Sequence, residues 1–437
     1  MRHGAAIIMW FLATILAISP DGAAGEQAPA SLHLSLTRGG EDERRTALAY
    51  VESHRPGDLL PLLRGTVIDD GDMTRKEYAL EALSCYPFRS VSWLWMELLG
   101  QSMSFPIKKR IIDFMAESDD RRVVPALVEE LSSPFSTVRE SAIRALSRLG
   151  DDRMFPHILN MAKNPDPIYR VYALEAIYHL YDRRMGYLIK DMLRDGNKSV
   201  RYYALKCVEQ NNLIENMPGI RVIALSDPNW EVRIKCIEIV RKFRDAGSMH
   251  VLLRSLVDAN KDIRMAAVRA LLEFRAVAAT ISVSNQLAVE DDDEIKAVLI
   301  DTLIASRGGG GFRGIERILS SDTSVSLRVR AAMACGEIGD ARAVGLLLAS
   351  MNDSDQRVRA EACNSLGVFK GNRAITVKLQ EVVCLEKSLY VRLAALYSLS
   401  RIGDRSSMLP LFDQYAVETD PVLKEKLRIV VRGLMTR

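Results

Sequence analysis

Polar and apolar residues along this chain repeat on two scales. Within stretches of about fifteen residues the apolar positions fall three or four apart, and the whole pattern returns every 31, 32 or 33 residues. Two near copies set the phase: RVRAAMACGEIGD at 328–340 and RVRAEACNSLG at 357–367. Superposing RVRA on RVRA throws the Ile-Gly-Asp that follows two residues out of step. Taking Arg328 as the equivalent of Arg359 removes the conflict. The same basic position then recurs thirteen times, at Arg44, Lys76, Lys108, Arg139, Arg170, Arg201, Arg233, Arg264, Lys296, Arg328, Arg359, Arg392 and Lys424.

Other columns keep this register. Three residues after the base, nine of the thirteen repeats carry alanine, and seven residues after it all thirteen are apolar. Four residues after it, twelve are apolar, with Arg428 the exception. Positions three, four and seven apart lie on one side of a 3.6-residue helix. The alanines let that helix approach a neighbour closely. Asp166-Pro167, Asp227-Pro228, Ser133-Pro134 and Asp420-Pro421 read as capping oxygens before a proline at the first helical position. A Gly-Asp or similar turn follows, then a second apolar-periodic run such as 342–351. No segment alternates like a strand with hairpin turns. Two helices and two turns fill each repeat, so the pattern predicts an all-α chain, an α-solenoid of about 13 two-helix repeats over 41–437.

The stretches 353–367, DSDQRVRAEACNSLG, and 137–159, TVRESAIRALSRLGDDRMFPHIL, resemble HEAT repeats, especially the short kind named after phycobilisome lyases. The resemblance covers residues 41–437 and implies the same solenoid. It is weak for activity, because such repeats serve scaffolds, adaptors, inhibitors and a few enzymes.

The basic column invites a functional reading as a charged stripe. Six residues before it, however, nine of thirteen positions are acidic: Asp70, Asp195, Asp227, Asp258, Glu290, Asp322, Asp353, Glu386 and Glu418. An acid in each turn, paired with a base on its own or the next first helix, would form a ladder. That ladder would satisfy turn donors and fix the stacking register. The resemblance to HEAT repeats, where Asp and Arg pair in this way, implies the same. Arg139, Arg170, Arg201, Arg233, Arg264, Arg328, Arg359 and Arg392 are therefore expected to be structural.

Composition adds little until the N-terminus. The 437 residues carry a net charge of +3, from 59 basic and 56 acidic side chains, which disfavours a dedicated nucleic-acid binder. Residues 5–18 are an apolar run behind Arg2 and His3, too short for the roughly 20 residues of a spanning helix. Pro20 and the small residues 23–25 follow, the layout of a cleaved secretory signal. The chain is thus expected to divide into a signal peptide at 1–25, a linker at 26–40 and the solenoid at 41–437. The mature protein is expected to be exported, periplasmic or secreted, with no membrane span.

Candidate chemistry is sparse. Gly309, Gly311 and Gly314 match G-x-G-x-x-G, but the residues before them fall on the helical columns, so a turn between helices is expected, not a dinucleotide loop. None of the six histidines precedes a glutamate, and no H-E-x-x-H, C-x-x-C or G-x-S-x-G occurs. No catalytic residue, metal or cofactor is expected. Cys207 and Cys236, and Cys335 and Cys363, share a three-residue offset in neighbouring repeats. They read either as small core residues or as candidate inter-repeat disulfides. Seven of thirteen tyrosines lie between Tyr169 and Tyr203. Tyr172, Tyr202 and Tyr203 flank the apolar face, and Trp93 and Trp95, two residues apart, cannot both face the core. These five aromatics are the candidates for partner binding. The expectation is an exported, non-enzymatic scaffold or adaptor that binds a protein or peptide. The alternative is a lyase- or chaperone-like enzyme, or a small-ligand carrier, on the same repeats.

Overall fold

The computed structural model describes residues 28–101, 104–307 and 311–436. The signal-peptide segment and Gly309 lie outside them. The described residues form 26 α-helices and no strand. No helix among them is long and apolar enough to cross a membrane. The chain is an α-solenoid of paired helices. It divides into two bodies, residues 28–192 and 193–436.

In the first body the first helices of successive repeats are Glu41–His54, Met73–Ser84, Phe105–Glu117, Ser136–Leu149 and Pro167–Leu180. In the second they are Lys198–Gln210, Trp230–Phe243, Lys261–Phe274, Asp293–Ser306, Val325–Ile338, Gln356–Leu366, Leu389–Ile402 and Pro421–Met435. The columns read from the sequence are the buried face. Ala79, Ala142, Ala204, Ala331 and Ala395, and Leu83, Leu146, Val208, Leu303 and Leu399, have no exposed surface. Arg428, the polar exception, is exposed and pairs with Glu425. The segment Pro29–Arg38, expected within a linker, is a helix that packs on the first two first helices through buried Leu32 and Leu36. Its apolar positions are four apart, one helical turn, and that spacing suffices to bury it.

Helix starts follow the sequence in part. Asp166 and Asp420 cap helices that begin with proline, as expected. At Asp227-Pro228 the helix instead begins at Trp230, capped by Asn229, and at Ser133-Pro134 it begins at Ser136. Nine of the thirteen first helices end alike. Eleven residues after the base the backbone turns left-handed, at Gly150, Gly339 and Gly403, but also at Arg55, Asp119, Asn212, Arg244, Arg275 and Arg307.

First helices approach one another closely at two glycines of the second body. A Cβ on Gly336 would lie 2.7 Å from the Ser365 oxygen, and one on Gly367 would lie 2.8 Å from that of Ser398. Gly314 is not in a turn. It sits in the Phe312–Ser321 helix, where its N–H donates to Ser284 Oγ at 2.9 Å and a Cβ would strike the Ser284 carbonyl. Glycine is required at these three positions by close approach.

Neither candidate disulfide forms: Cys207, Cys236, Cys335 and Cys363 are buried thiols in the first helices. Burial pushes the Cys207, Cys335 and Cys363 thiols up to about 12 and raises Cys236 as well. They fill small core positions, the other reading of their spacing.

Candidate functional site: an aromatic groove beside a charge ladder

The ladder exists, and its rungs run in the direction opposite to that expected. The acid of each turn takes the base of the preceding first helix. In the second body Arg201 reaches Asp227 (2.6 Å), Arg233 Asp258 (3.5 Å), Arg264 Glu290 (2.7 Å), Lys296 Asp322 (2.9 Å), Arg328 Asp353 (2.9 Å) and Arg359 Glu386 (3.1 Å), and Arg392 pairs with Glu418. A typical guanidinium makes two further bonds backwards. Arg201 Nη1 donates to the carbonyls of Asp195 (2.9 Å) and Gly196 (3.1 Å), and Arg264, Arg328 and Arg359 do the same in their own turns. The acid is occupied on its other side. Asp227 Oδ1 accepts the Asn229 N–H at 2.9 Å, as Asp195, Asp258, Asp322 and Asp353 each accept the N–H two residues on. That second residue caps the next first helix. Each rung therefore links one helix, two turns and the start of the following helix.

These charges are taken out of water, and their ionisation follows from the bonds. Burial works against the Glu418 carboxylate, but the Asp420 amide, the Gln414 amide and the Arg392 guanidinium outweigh it and hold it down at about 2. Glu290, Asp353 and Glu386 are lowered by the same balance.

The first body is built differently. Its turns lack most of the acid column, and the bases find other partners. Lys108 pairs with Glu130 at 2.5 Å, three residues ahead of the column. Arg139 pairs with Glu175 at 2.7 Å and lies 3.7 Å over the Tyr172 ring. Arg44 lies 4.0 Å over Tyr78, which holds the same column as Tyr172. Arg170 donates to the carbonyls of Asn164 and Pro165 in its own turn.

Of the five aromatic candidates, only Tyr202 and Tyr203 come together. Trp95 is 1% exposed, between Phe88 and Phe114, whereas Trp93 is 54% exposed. Tyr172 is committed to Arg139. Tyr202 and Tyr203 meet edge-on at 6.4 Å on the Lys198–Gln210 helix. They wall a groove of about 370 Å³ whose other side is the Trp230–Phe243 helix. Trp230, 42% exposed, lies opposite the tyrosines. The sequence reading passed over it. The available signal was an aromatic three residues before the base, at the first position of a helix, outside the apolar columns. Asn197 and Asn229 cap the two walls, and the Arg201–Asp227 rung ties them together.

The rim is polar and internally paired. Lys198 meets Glu231 at 3.3 Å. Lys235 lies between Glu209 (2.8 Å) and Glu238 (3.1 Å). Burial of Lys235 would lower its pKa, but these two carboxylates raise it, so the ammonium stays charged. Lys206 Nζ sits 4.9 Å from the Tyr203 ring. An aromatic floor within a balanced rim suits an extended, largely uncharged peptide segment. Among the described residues no cluster of three His, Cys, Asp or Glu side chains could hold a metal.

A sequence profile for HEAT repeats matches residues 94–178, 217–304 and 313–380, more than half of the chain. The chain belongs to the HEAT-repeat family. A comparison with curated protein sequences finds no match. Among solved structures, the karyopherin Kap121p bound to the extreme C-terminus of the protein phosphatase Cdc14p matches with a TM-score of 0.52 and 14% identity, over 95% of this chain and 53% of that one. Kap121p alone matches with a TM-score of 0.42 and 14% identity, over 93% and 48%. This chain thus spans about half the length of those structures, and the likeness is one of fold.

Proposed function

We propose that the chain is an exported, non-enzymatic scaffold whose Tyr202–Tyr203–Trp230 groove holds a peptide segment of a partner protein. The observation that carries this reading is the groove itself: three part-exposed aromatic rings face one another across two rigidly tied helices, inside a rim whose charges are already matched. Such anchors supply most of the binding energy at protein interfaces. The fold is suited to the task, since the karyopherin that resembles it holds the terminus of another protein. The histidines support a binding role over catalysis, because they serve separate local contacts: His33 on Thr66, His157 on Ser132, His54 stacked on Tyr50. Export rests on the apolar run at 5–18 and the small residues after it. The repeat length, about 32 residues, is what favours the short phycobilisome-lyase type and with it the pigment-lyase or carrier reading.

The test is affinity capture from the exported fraction with the wild type, Tyr202→Ala and Trp230→Ala, with circular dichroism as the control for folding. The expected result is one protein retained by the wild type and at least tenfold less of it by either variant, at equal helicity. Retention unaffected by both substitutions removes the groove from the reading. A coloured small ligand copurifying in place of a protein moves the assignment to the carrier.

A further inference from the structure

In repeats seven, eight and nine the left-handed residue that ends the first helix is arginine: Arg244, Arg275 and Arg307, with φ of 49°, 49° and 47°. Glycine fills the equivalent place in Gly150, Gly339 and Gly403. A Cβ disfavours this conformation, so arginine here opposes the backbone it sits on. All three side chains are exposed. Among the described residues none of them is in an ion pair, in a body where the buried column bases from Arg201 to Arg392 are each matched by a carboxylate. The acids nearest in sequence are already taken: Asp245 by Arg221 and Ser248, and Glu273 by Arg241. The second helices that follow extend the charge. Arg254 is exposed on Met249–Ser255, one turn from exposed His250, and Arg313 and Arg317 hold the same spacing on Phe312–Ser321, with one exposed acid, Glu316, beside them. Between them Thr280–Leu287 offers Ile281, 64% exposed, and no charged residue.

We infer that this edge of the second body is a docking track for an acidic, extended segment of a partner protein, with carboxylates at about every third residue. The argument is charge complementarity with a period. Stacked helices recur at roughly 10 Å. A polyproline-II chain has three residues per turn and rises about 3.1 Å per residue, so every third side chain returns to the same face after about 9 Å. Each arginine can then take one carboxylate in a two-pronged bond. Exposed Val277 and Ile281 lie within the track and suit aliphatic side chains of a peptide. No Phe, Tyr or Trp is among the named track residues, so the large ring platforms on which successive bases of a single strand stack are not provided. This surface is separate from the aromatic groove and does not depend on it.

The test uses the full chain and a fluorescein-labelled (Glu-Pro-Pro)4 peptide, read by fluorescence anisotropy at two salt concentrations. The wild type is expected to bind, and more weakly in high salt. The triple variant Arg244→Gly, Arg275→Gly, Arg307→Gly is expected to bind at least tenfold more weakly with an unchanged or higher Tm, because glycine relaxes the left-handed turns. Arg55→Gly, the same backbone change in the first body, is expected to leave binding as it was, and Arg275→Glu alone to weaken it. The inference is overturned if the wild type does not bind the peptide, or if the triple variant binds within twofold of the wild type. Tighter, arginine-dependent binding of oligo-dT or of phosphatidylglycerol vesicles than of the peptide also overturns it.

Discussion

The two bodies are written in one repeat and held in register by two devices used in different proportion. In residues 193–436 the base of every first helix but the last is buried against the acid of the next turn, as in Arg201 and Asp227, whose side chains are 10% and 4% exposed. In residues 28–192 the acids are mostly missing from that turn, and a second ladder appears on the opposite turn, between the two helices of a repeat. There Arg122, Arg153 and Arg184 are each braced by an aspartate two residues earlier, at 2.6, 2.7 and 3.0 Å. Each reaches back about one repeat, to the Arg89 carbonyl, the Arg121 carbonyl and the Asp152 carboxylate. These arginines are about half exposed. The same job of fixing one repeat on the next is thus done by a continuous run of buried pairs in the second body, and in the first by two buried pairs, Lys108–Glu130 and Arg139–Glu175, together with this half-exposed ladder, whose counterpart in the second body is Arg342 on Asp340. Buried pairs specify geometry strongly and are punishing to break, whereas exposed ones are worth about 0–1 kcal/mol each.

The largest effect expected from this contrast is at a buried rung. Asp227→Ala strands the Arg201 guanidinium and uncaps the Asn229 turn, and should lower stability by about 3–5 kcal/mol in a denaturant titration. Asp182→Ala, on the exposed ladder, should lower it far less in the same titration. Equal losses would erase the distinction.

Next in size is the close approach at Gly367. Gly367→Ala places a methyl 2.8 Å from Ser398 Oγ and should lower stability by about 1–3 kcal/mol. The Ser398 hydroxyl is buried with no hydrogen-bond partner among the described residues, so Ser398→Ala should be neutral or stabilising and should offset part of the glycine substitution.

Acid sharpens the comparison further. Glu418, lowered from 4.5 to about 2, binds a proton more readily in the unfolded chain than in the folded one. Its contribution is complete above about pH 4.5 and is lost as pH falls through about 2. Thermal unfolding followed from pH 6 to pH 2 should show a shallower loss of Tm in Glu418→Gln than in the wild type. A small effect is expected at Tyr172. Replacing it with leucine removes the face under Arg139 and should lower stability by about 1 kcal/mol with no change in partner capture.

The periodic part of this fold could be read from the chain because each column is repeated up to thirteen times, and one residue out of place, such as Arg428, does not disturb the rest. The rung direction could not. Position within a repeat shows that Arg201 and Asp227 belong to opposed columns, but which acid meets which base depends on how far one turn rises over the next. The second ladder was visible as Asp120–Arg122, Asp151–Arg153 and Asp182–Arg184 at 31-residue intervals, and was missed because it lies outside the apolar columns. Tyr172 and Tyr203 hold the same column in sequence. Which of them lies under Arg139 and which walls the groove is set by how successive repeats pack.

Hydrogen exchange by mass spectrometry on the full chain, comparing Asp227→Ala with Arg153→Ala, tests most directly whether buried rungs set the register of the second body. The account predicts that Asp227→Ala strips protection from both Lys198–Gln210 and Trp230–Phe243, while Arg153→Ala speeds exchange only in the turns around 121 and 153. Loss confined to the 227–229 turn, or an equally broad loss in Arg153→Ala, would contradict it.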